Sequence, residues 1–285
     1  MITVVTAPPF ATIQDLGRFG YRDSGVPVSG LLDRDSGLAL NALLCNDPNA
    51  AMIEWAVSGG VLRFERDETV AFGGADAICT LNGASLEERA VHHMFRGSEL
   101  HVERILRGRF LLIAVAGGFD VPVVLGSRST LLSARIGGME GRRLRSGDSI
   151  ATGTCIVRSN EGAPSAAPRR IDGPFHVLRG PQAHLFDDLA WSKLFDTDFT
   201  VSNASDRVGY RLDGATVSHG GDVALPSEPT CIGAIQVPNG GSPIVIMNDG
   251  PTVGGYPKIA VICKSEISQF AQLAPGEKLR FQLTR

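Results

Sequence analysis

The chain has little aromatic content (6%), few lysines (Lys193, Lys258, Lys264 and Lys278), and no excess of positive charge: 27 basic residues stand against 30 acidic ones, for a net charge of −3. A basic field that could hold a phosphate backbone or an anionic bilayer is therefore lacking, and neither nucleic acid nor membrane is expected as a partner. The five cysteines (Cys45, Cys79, Cys155, Cys231, Cys263) are odd in number, far apart and without a C-x-x-C pair. That pattern excludes a disulfide framework and a zinc knuckle, and it suits buried thiols in a reducing compartment.

Other absences narrow the chemistry. There is no G-x-x-x-x-G-K-[ST] loop and no G-x-G-x-x-G opening a helix, so neither common nucleotide-binding device is present. No methionine precedes a lysine, so there is no biotin-attachment core, and no Ser-Ser-Lys amidase stretch occurs. No run approaches the roughly 18 apolar residues of a membrane span, and the first residues lack the basic and apolar regions of a secretory leader. A cytoplasmic location is the expectation.

Glycine, by contrast, is plentiful: 34 in 285 residues, about 12% against a usual share of roughly 7%. Much of it comes as Gly-Gly pairs, at 59–60, 73–74, 117–118, 137–138, 220–221, 240–241 and 254–255. Such pairs punctuate turns, and between them lie short β-branched and apolar runs at 62–64, 69–72, 110–115, 149–157, 235–237 and 244–247. The fold class predicted is mostly β, with helical periodicity at 33–46 behind a capping Asp33, at 183–195 behind Pro181, and a shorter turn after Ser265.

With 285 residues two domains are expected, and the apolar-poor segment 161–170 has the composition of a linker. The division predicted is 1–165 and 171–285. A faint internal echo supports two related halves: Leu144-Arg-Ser-Gly-Asp-Ser-Ile150 matches Leu273-Ala-Pro-Gly-Glu-Lys-Leu279.

Polar and glycine-rich clusters are the candidates for function. Thr12-Ile-Gln-Asp-Leu-Gly-Arg-Phe-Gly-Tyr21 gathers Gln14, Asp15 and Arg18 in a segment with two glycines, which suits a loop converging on a small polar ligand. An Asp15–Arg18 ion pair pinning the N-terminal segment explains the pattern equally well. Gly126-Ser-Arg-Ser-Thr130, with Arg128, and the later Arg142 place hydroxyls and guanidinium groups as an oxyanion pocket requires, or as a solvated loop would. In the second half Arg207, Tyr210, Glu228, Gln236, Asp249, Tyr256 and Lys258 supply donors and acceptors without a nucleophile–base pair. Binding and orientation, rather than covalent catalysis, is the reading. His92, His93 and His101 lack a carboxylate or Cys at ligand spacing, so they are read as structural and no metal is assigned.

Taken in order, these segments resemble the C component of bacterial ATP-dependent 5-oxoprolinase, a family also described as allophanate hydrolase subunit 2 or biotin-dependent carboxyltransferase-like. The motifs T-x-Q-D-x-G-R-x-G-Y, G-V-P-x-S-G-x-x-D, S-R-S-T, D-R-x-G-Y-R-L, S-E-P, I-Q-V-P-x-x-G and G-G-Y-P-[KR]-I run from Thr12 to Ile259. The resemblance implies tandem cyclophilin-like β-barrel domains with a few short helices. It also implies one component of a hetero-oligomer that, with the A and B components, opens 5-oxo-L-proline to L-glutamate at the expense of ATP and is inactive alone. Biotin is not expected to be attached to this chain.

The residues expected to act are Arg128, Tyr256 and Lys258 in catalysis, and Gln14, Asp15, Arg18, Arg142, Arg207, Tyr210, Glu228, Gln236 and Asp249 in binding substrate. The arginines would hold carboxylate or phosphoryl charge while Tyr256 and Lys258 polarise a carbonyl. Pro251 and Val253 depart from the family's usual Gln and Thr. Two alternatives stay open: a carboxyltransferase acting on a urea-like substrate with a biotinylated partner, and a non-catalytic Kip-type regulatory protein.

Overall fold

The computed structural model describes residues 1–154, 173–220 and 225–284. The linker expected at 161–170, the end of the run at 149–157, Gly221 and Cys155 lie outside them. Two compact units emerge: Met1–Phe19 with Ser29–Arg169, and Gly20–Val28 with Arg170–Arg285. Residues 20–28, which the sequence division leaves in the first half, thus group with the second unit. The chain is mostly β, with two barrel-like sheets and few helices.

The first unit contains β1 (Ile2–Thr6), β2 (Phe10–Gln14), α1 (Arg34–Leu43), β3 (Met52–Ala56), β4 (Val61–Phe64), β5 (Glu68–Leu81), β6 (Ala84–Ser85), β7 (His92–Met94), β8 (Glu99–Val115) and β9 (Ser149–Ile150). Its sheet runs β2-β3-β8-β4-β1-β9, and β5 joins β8 along an antiparallel ladder from Val70↔Val115 to Leu81↔Leu100. Inward positions on alternate residues (Ile13, Trp55, Phe64, Phe72, Leu111, Ile113) close one core. Helix α1 begins as the sequence predicts, with the Asp33 carboxylate accepting from Ser36 N at 3.1 Å. Its Leu40 seals a smaller core with Met52, Ala71 and Leu112.

The Gly73-Gly74 pair behaves differently from the expectation. Gly73-Gly74 lies inside β5 instead of turning the chain, because the apolar residues on either side keep pairing with β8. The register shifts between Gly74 and Asp76, where Gly74 takes φ +97°, so the pair makes a bulge. The cysteines also differ in part: Cys79 is buried, its thiol pushed up to about 12 mainly by burial, whereas Cys231 is exposed.

The second unit contains β10 (Phe175–Arg179), α2 (Asp188–Asp196), β11 (Phe199–Val201), β12 (Gly209–Asp213), β13 (Glu228–Pro229), β14 (Ala234–Gln236), β15 (Ile244–Ile246), β16 (Val253–Gly254), β17 (Lys258–Ile262), α3 (Ile267–Ala271), β18 (Lys278–Leu279) and β19 (Phe281–Leu283). Eight strands form one sheet in the order β18-β11-β12-β15-β14-β17-β10-β19, and β13 with β16 makes a separate two-stranded ribbon. Phe270 packs between Phe175 and Tyr210, with ring centroids at 5.3 and 5.4 Å. The helix predicted over 183–195 divides into a 3₁₀ turn, Ala183–Leu185, and α2, because Asp187 caps a new start by accepting from Ala190 N. Among the described residues no helix is long and apolar enough to cross a membrane.

The internal echo has a structural counterpart in each unit. In the first, Arg145 N donates to the Asp148 carboxylate, Asp148 N to Arg145 O, and Gly147 N to Val4 O. In the second, Ala274 N donates to the Glu277 carboxylate, Glu277 N to Ala274 O, and Gly276 N to Val201 O. The glycines take φ +91° and +89°, which a side chain resists and which fixes Gly at that position of the L-x-x-G-[DE] motif. Each turn feeds a short strand, β9 or β18.

Candidate functional site

In the first unit the T-x-Q-D-x-G-R and S-R-S-T segments lock onto each other. Asp15 is buried, and its carboxylate accepts from Ser127 Oγ (2.6 Å), Ser129 Oγ (2.5 Å), Arg128 N (2.6 Å) and Gly17 N (2.8 Å). Gln14 Nε2 donates to Thr12 Oγ1 and Thr130 O, and Arg18 Nη2 donates to Ser129 O at 2.6 Å. Side chains in and just after β2 thus fix a loop more than a hundred residues away, and the buried Asp15 carboxylate meets four donors, as burial of a charge demands. Gly137 and Gly138 let the chain return over this loop: a Cβ on Gly137 would overlap Ser129 O at 2.0 Å.

The guanidinium groups expected to grip an anion are engaged within the chain. Arg128 Nη2 lies 3.0 Å from Asp120 Oδ1. Arg142 makes a two-pronged pair with Asp148 (2.7 and 2.8 Å), and Arg207 another with Asp249 (2.9 and 3.0 Å). The bidentate geometry that an arginine-rich composition favours is present, but intramolecularly. Each of the three guanidinium groups is thus matched to a carboxylate of the chain itself. Tyr210 is wholly buried, with its hydroxyl donating to Ala271 O at 2.5 Å.

Four other residues of the second unit do come together. Gln236, near the end of β14, stands directly opposite Lys258, the first residue of β17. The Lys258 side chain is only 3% exposed, and its Nζ lies 2.5 Å from Glu228 Oε1 on β13. Gln182 completes the frame: its Nε2 donates to Glu228 Oε1 (2.6 Å), and its Oε1 accepts from Lys258 N (3.2 Å). The Lys258 ammonium, outweighing the opposing cost of burial and helped by Gln182, holds the Glu228 carboxyl below its usual range. Among the described residues, the buried Gln236 Nε2 has no acceptor. Tyr256, two residues before Lys258, is half-exposed.

The ribbon of β13 and β16 covers this group, with Glu228 paired to Gly254. A Cβ on Gly254 would lie 2.8 Å from Gln236 Nε2, so glycine there lets the ribbon lie this close over the buried amide. A buried ammonium and an unsatisfied buried amide side by side can bind and polarise a carbonyl or carboxylate oxygen, with a carboxylate at hand to balance charge. Gln182 and Gly254 are not among the residues that the sequence singles out. Gln182 carries no local signal, since it only follows Pro181 and meets Glu228 across 46 residues. Gly254 is legible only as one of many paired glycines and as the opening of the G-G-Y-P-[KR]-I motif, neither of which gives it a role.

Residues 24–283 match the carboxyltransferase domain, subdomain A and B. The chain is 36% identical to the 5-oxoprolinase C component of Escherichia coli over 99% of its own length and 90% of that protein's. It is 34% identical to the corresponding 5-oxoprolinase component of Haemophilus influenzae over 99% and 91%. It also superposes on the crystal structure of the Kluyveromyces lactis urea amidolyase with a TM-score of 0.91 and 28% identity, covering all of this chain but only 19% of that one. The chain thus spans about a fifth of the length of the urea amidolyase it resembles. Matched along almost all of its length, the chain belongs to the carboxyltransferase-domain family, subdomains A and B, and is a homologue of the 5-oxoprolinase C component.

Proposed function

We propose that the chain is the C component of a cytoplasmic, ATP-dependent 5-oxoprolinase, converting 5-oxo-L-proline to L-glutamate together with the A and B components. The observation that carries this reading is the Lys258–Glu228 pair facing the unsatisfied amide of Gln236, with the side-chain-free Gly254 close over that amide. Donors of this kind gain strength as charge develops on a lactam oxygen in a site from which water is excluded. Lys258 and Gln236 hold the carbonyl oxygen, Glu228 sets the position of the ammonium, and Tyr256, half-exposed two residues before Lys258, is the neighbouring phenol. Arg128, Arg142, Arg207, Asp249, Gln14, Asp15, Arg18 and Tyr210 then act by holding the segments that frame each unit. The ATP step is assigned to the complex, and the isolated chain is expected to be inactive.

The likeness to urea amidolyase favours a second reading, in which the same donors orient a urea-like amide for carboxyl transfer from a biotinylated partner. The co-purified three-component complex, assayed for ATP-dependent glutamate release from 5-oxoproline, decides between the two. Lys258→Met should lower that turnover about 10²–10³-fold, the usual effect of removing one charge-stabilising donor. No glutamate release by the intact complex, or full activity of Lys258→Met, defeats the proposal.

A further inference from the structure

We propose that Arg22, on the segment that joins the second unit from far earlier in the chain, is the positioning residue that fixes the Glu228–Lys258 pair. This assignment rests on the reading of that pair as the reactive site. Residues 20–28 group with the second unit. Within them a tight turn, in which Ser24 N and Val26 N both donate to Tyr21 O and Gly25 N to Arg22 O, sets the course of the backbone that carries Arg22.

The guanidinium reaches both strands of the β13–β16 ribbon at once. Its Nη2 donates to Thr230 O at 2.7 Å and to Thr230 Oγ1 at 3.2 Å, just after Glu228-Pro229. The same nitrogen lies 3.4 Å from Thr252 O, just before Val253-Gly254. Thr230 ties the two sides further, with its N–H donating to Thr252 O and its hydroxyl to Pro251 O.

A ribbon of two residues per strand cannot hold itself, since its few backbone bonds do not offset the chain entropy of ordering it. One charged nitrogen shared between two carbonyls supplies what is missing, because bonds from an ionised donor are stronger than neutral ones. What the ribbon places is the chemistry: Glu228 against Lys258 Nζ on one side, Gly254 against Gln236 Nε2 on the other. Arg22 needs no contact with substrate to control both distances.

The chain offers a clean probe, because it has only four lysines. Reductive methylation with formaldehyde and dimethylamine–borane, read site by site by mass spectrometry on the full chain, reports the protection of Lys258 against Lys193, Lys264 and Lys278 as internal references. Arg22→Gln should raise the Lys258 rate about tenfold while the three references stay unchanged, and Arg22→Lys should restore part of the protection. In the three-component complex Arg22→Gln should also lower kcat about 10²-fold, as displacing a reacting group by about 1 Å does, with KM little altered. Unchanged protection of Lys258, or an equal rise at all four lysines, overturns the assignment. Selective exposure of Lys258 upholds it, and if turnover then stays at the wild-type level, it is the lactam-opening reading of the site that fails.

Discussion

Glu228 and Gly254 stand opposite each other in a ribbon only two residues long on each side, and that pairing brings the glycine's bare Cα over the amide of Gln236. The contact is tight enough that one methyl group decides it. Gly254→Ala puts a carbon 2.8 Å from Gln236 Nε2 and 3.3 Å from Thr230 Cγ2, and the amide, being the end of a flexible chain, gives way.

The expected outcome is a split between stability and turnover. Thermal unfolding of Gly254→Ala should move by no more than the equivalent of about 1 kcal/mol, since only a side-chain end shifts. Glutamate release by the assembled complex should fall at least about tenfold, because the displaced amide no longer meets the substrate oxygen. A variant as active as the wild type would show that the Gln236 amide plays no part.

Asp148 provides a pH test of the first unit. Its carboxylate accepts from Arg142 twice and from Arg145 N, and the Arg142 guanidinium above all holds its pKa below the usual aspartate range. A folded-state value below the unfolded one means that stabilisation is complete above the ordinary aspartate pKa of about 3.9 and is lost as pH falls through the folded value. Asp148→Asn should therefore cost about 1.5–3 kcal/mol at pH 7, by loss of charge-assisted bonds, in guanidinium chloride titrations. The gap between variant and wild type should begin to narrow below about pH 4 and close as pH falls through the lowered folded value. A constant gap down to about pH 2 would count against this account.

Tyr210 separates packing from chemistry. Removing its hydroxyl leaves the Ala271 carbonyl without the 2.5 Å bond it accepts. Tyr210→Phe should lower stability by about 1–3 kcal/mol, the cost of a stranded buried acceptor, and leave kcat per folded molecule unchanged. A selective loss of kcat with normal stability would return Tyr210 to the reactive site.

Much of the fold was legible in the chain because it depends on local rules. Short apolar runs between glycines give strands whatever their partners, Asp33 caps α1 in place, and the repeated L-x-x-G-[DE] stretch forms the same turn twice since both the left-handed glycine and the acid's bond back to the chain are local. Elsewhere a distant partner overrules a local habit. Gly73-Gly74 stays in β5 because β8 pairs on both sides of it.

The site divides along the same line. Which residue types are present, and hence which donors and acceptors the chain could offer a carbonyl or an anion, was set by composition and motif order. Which of those groups remain available was decided only by the tertiary fold. Asp15 is consumed by Ser127 and Ser129 more than a hundred residues away, Arg207 by Asp249, and Lys258 is joined to Glu228, Gln182 and, through the ribbon, Arg22. A charge at one position says nothing about the counter-charge that folding brings to it, and in a buried site that partner determines whether the group binds a ligand or the protein itself.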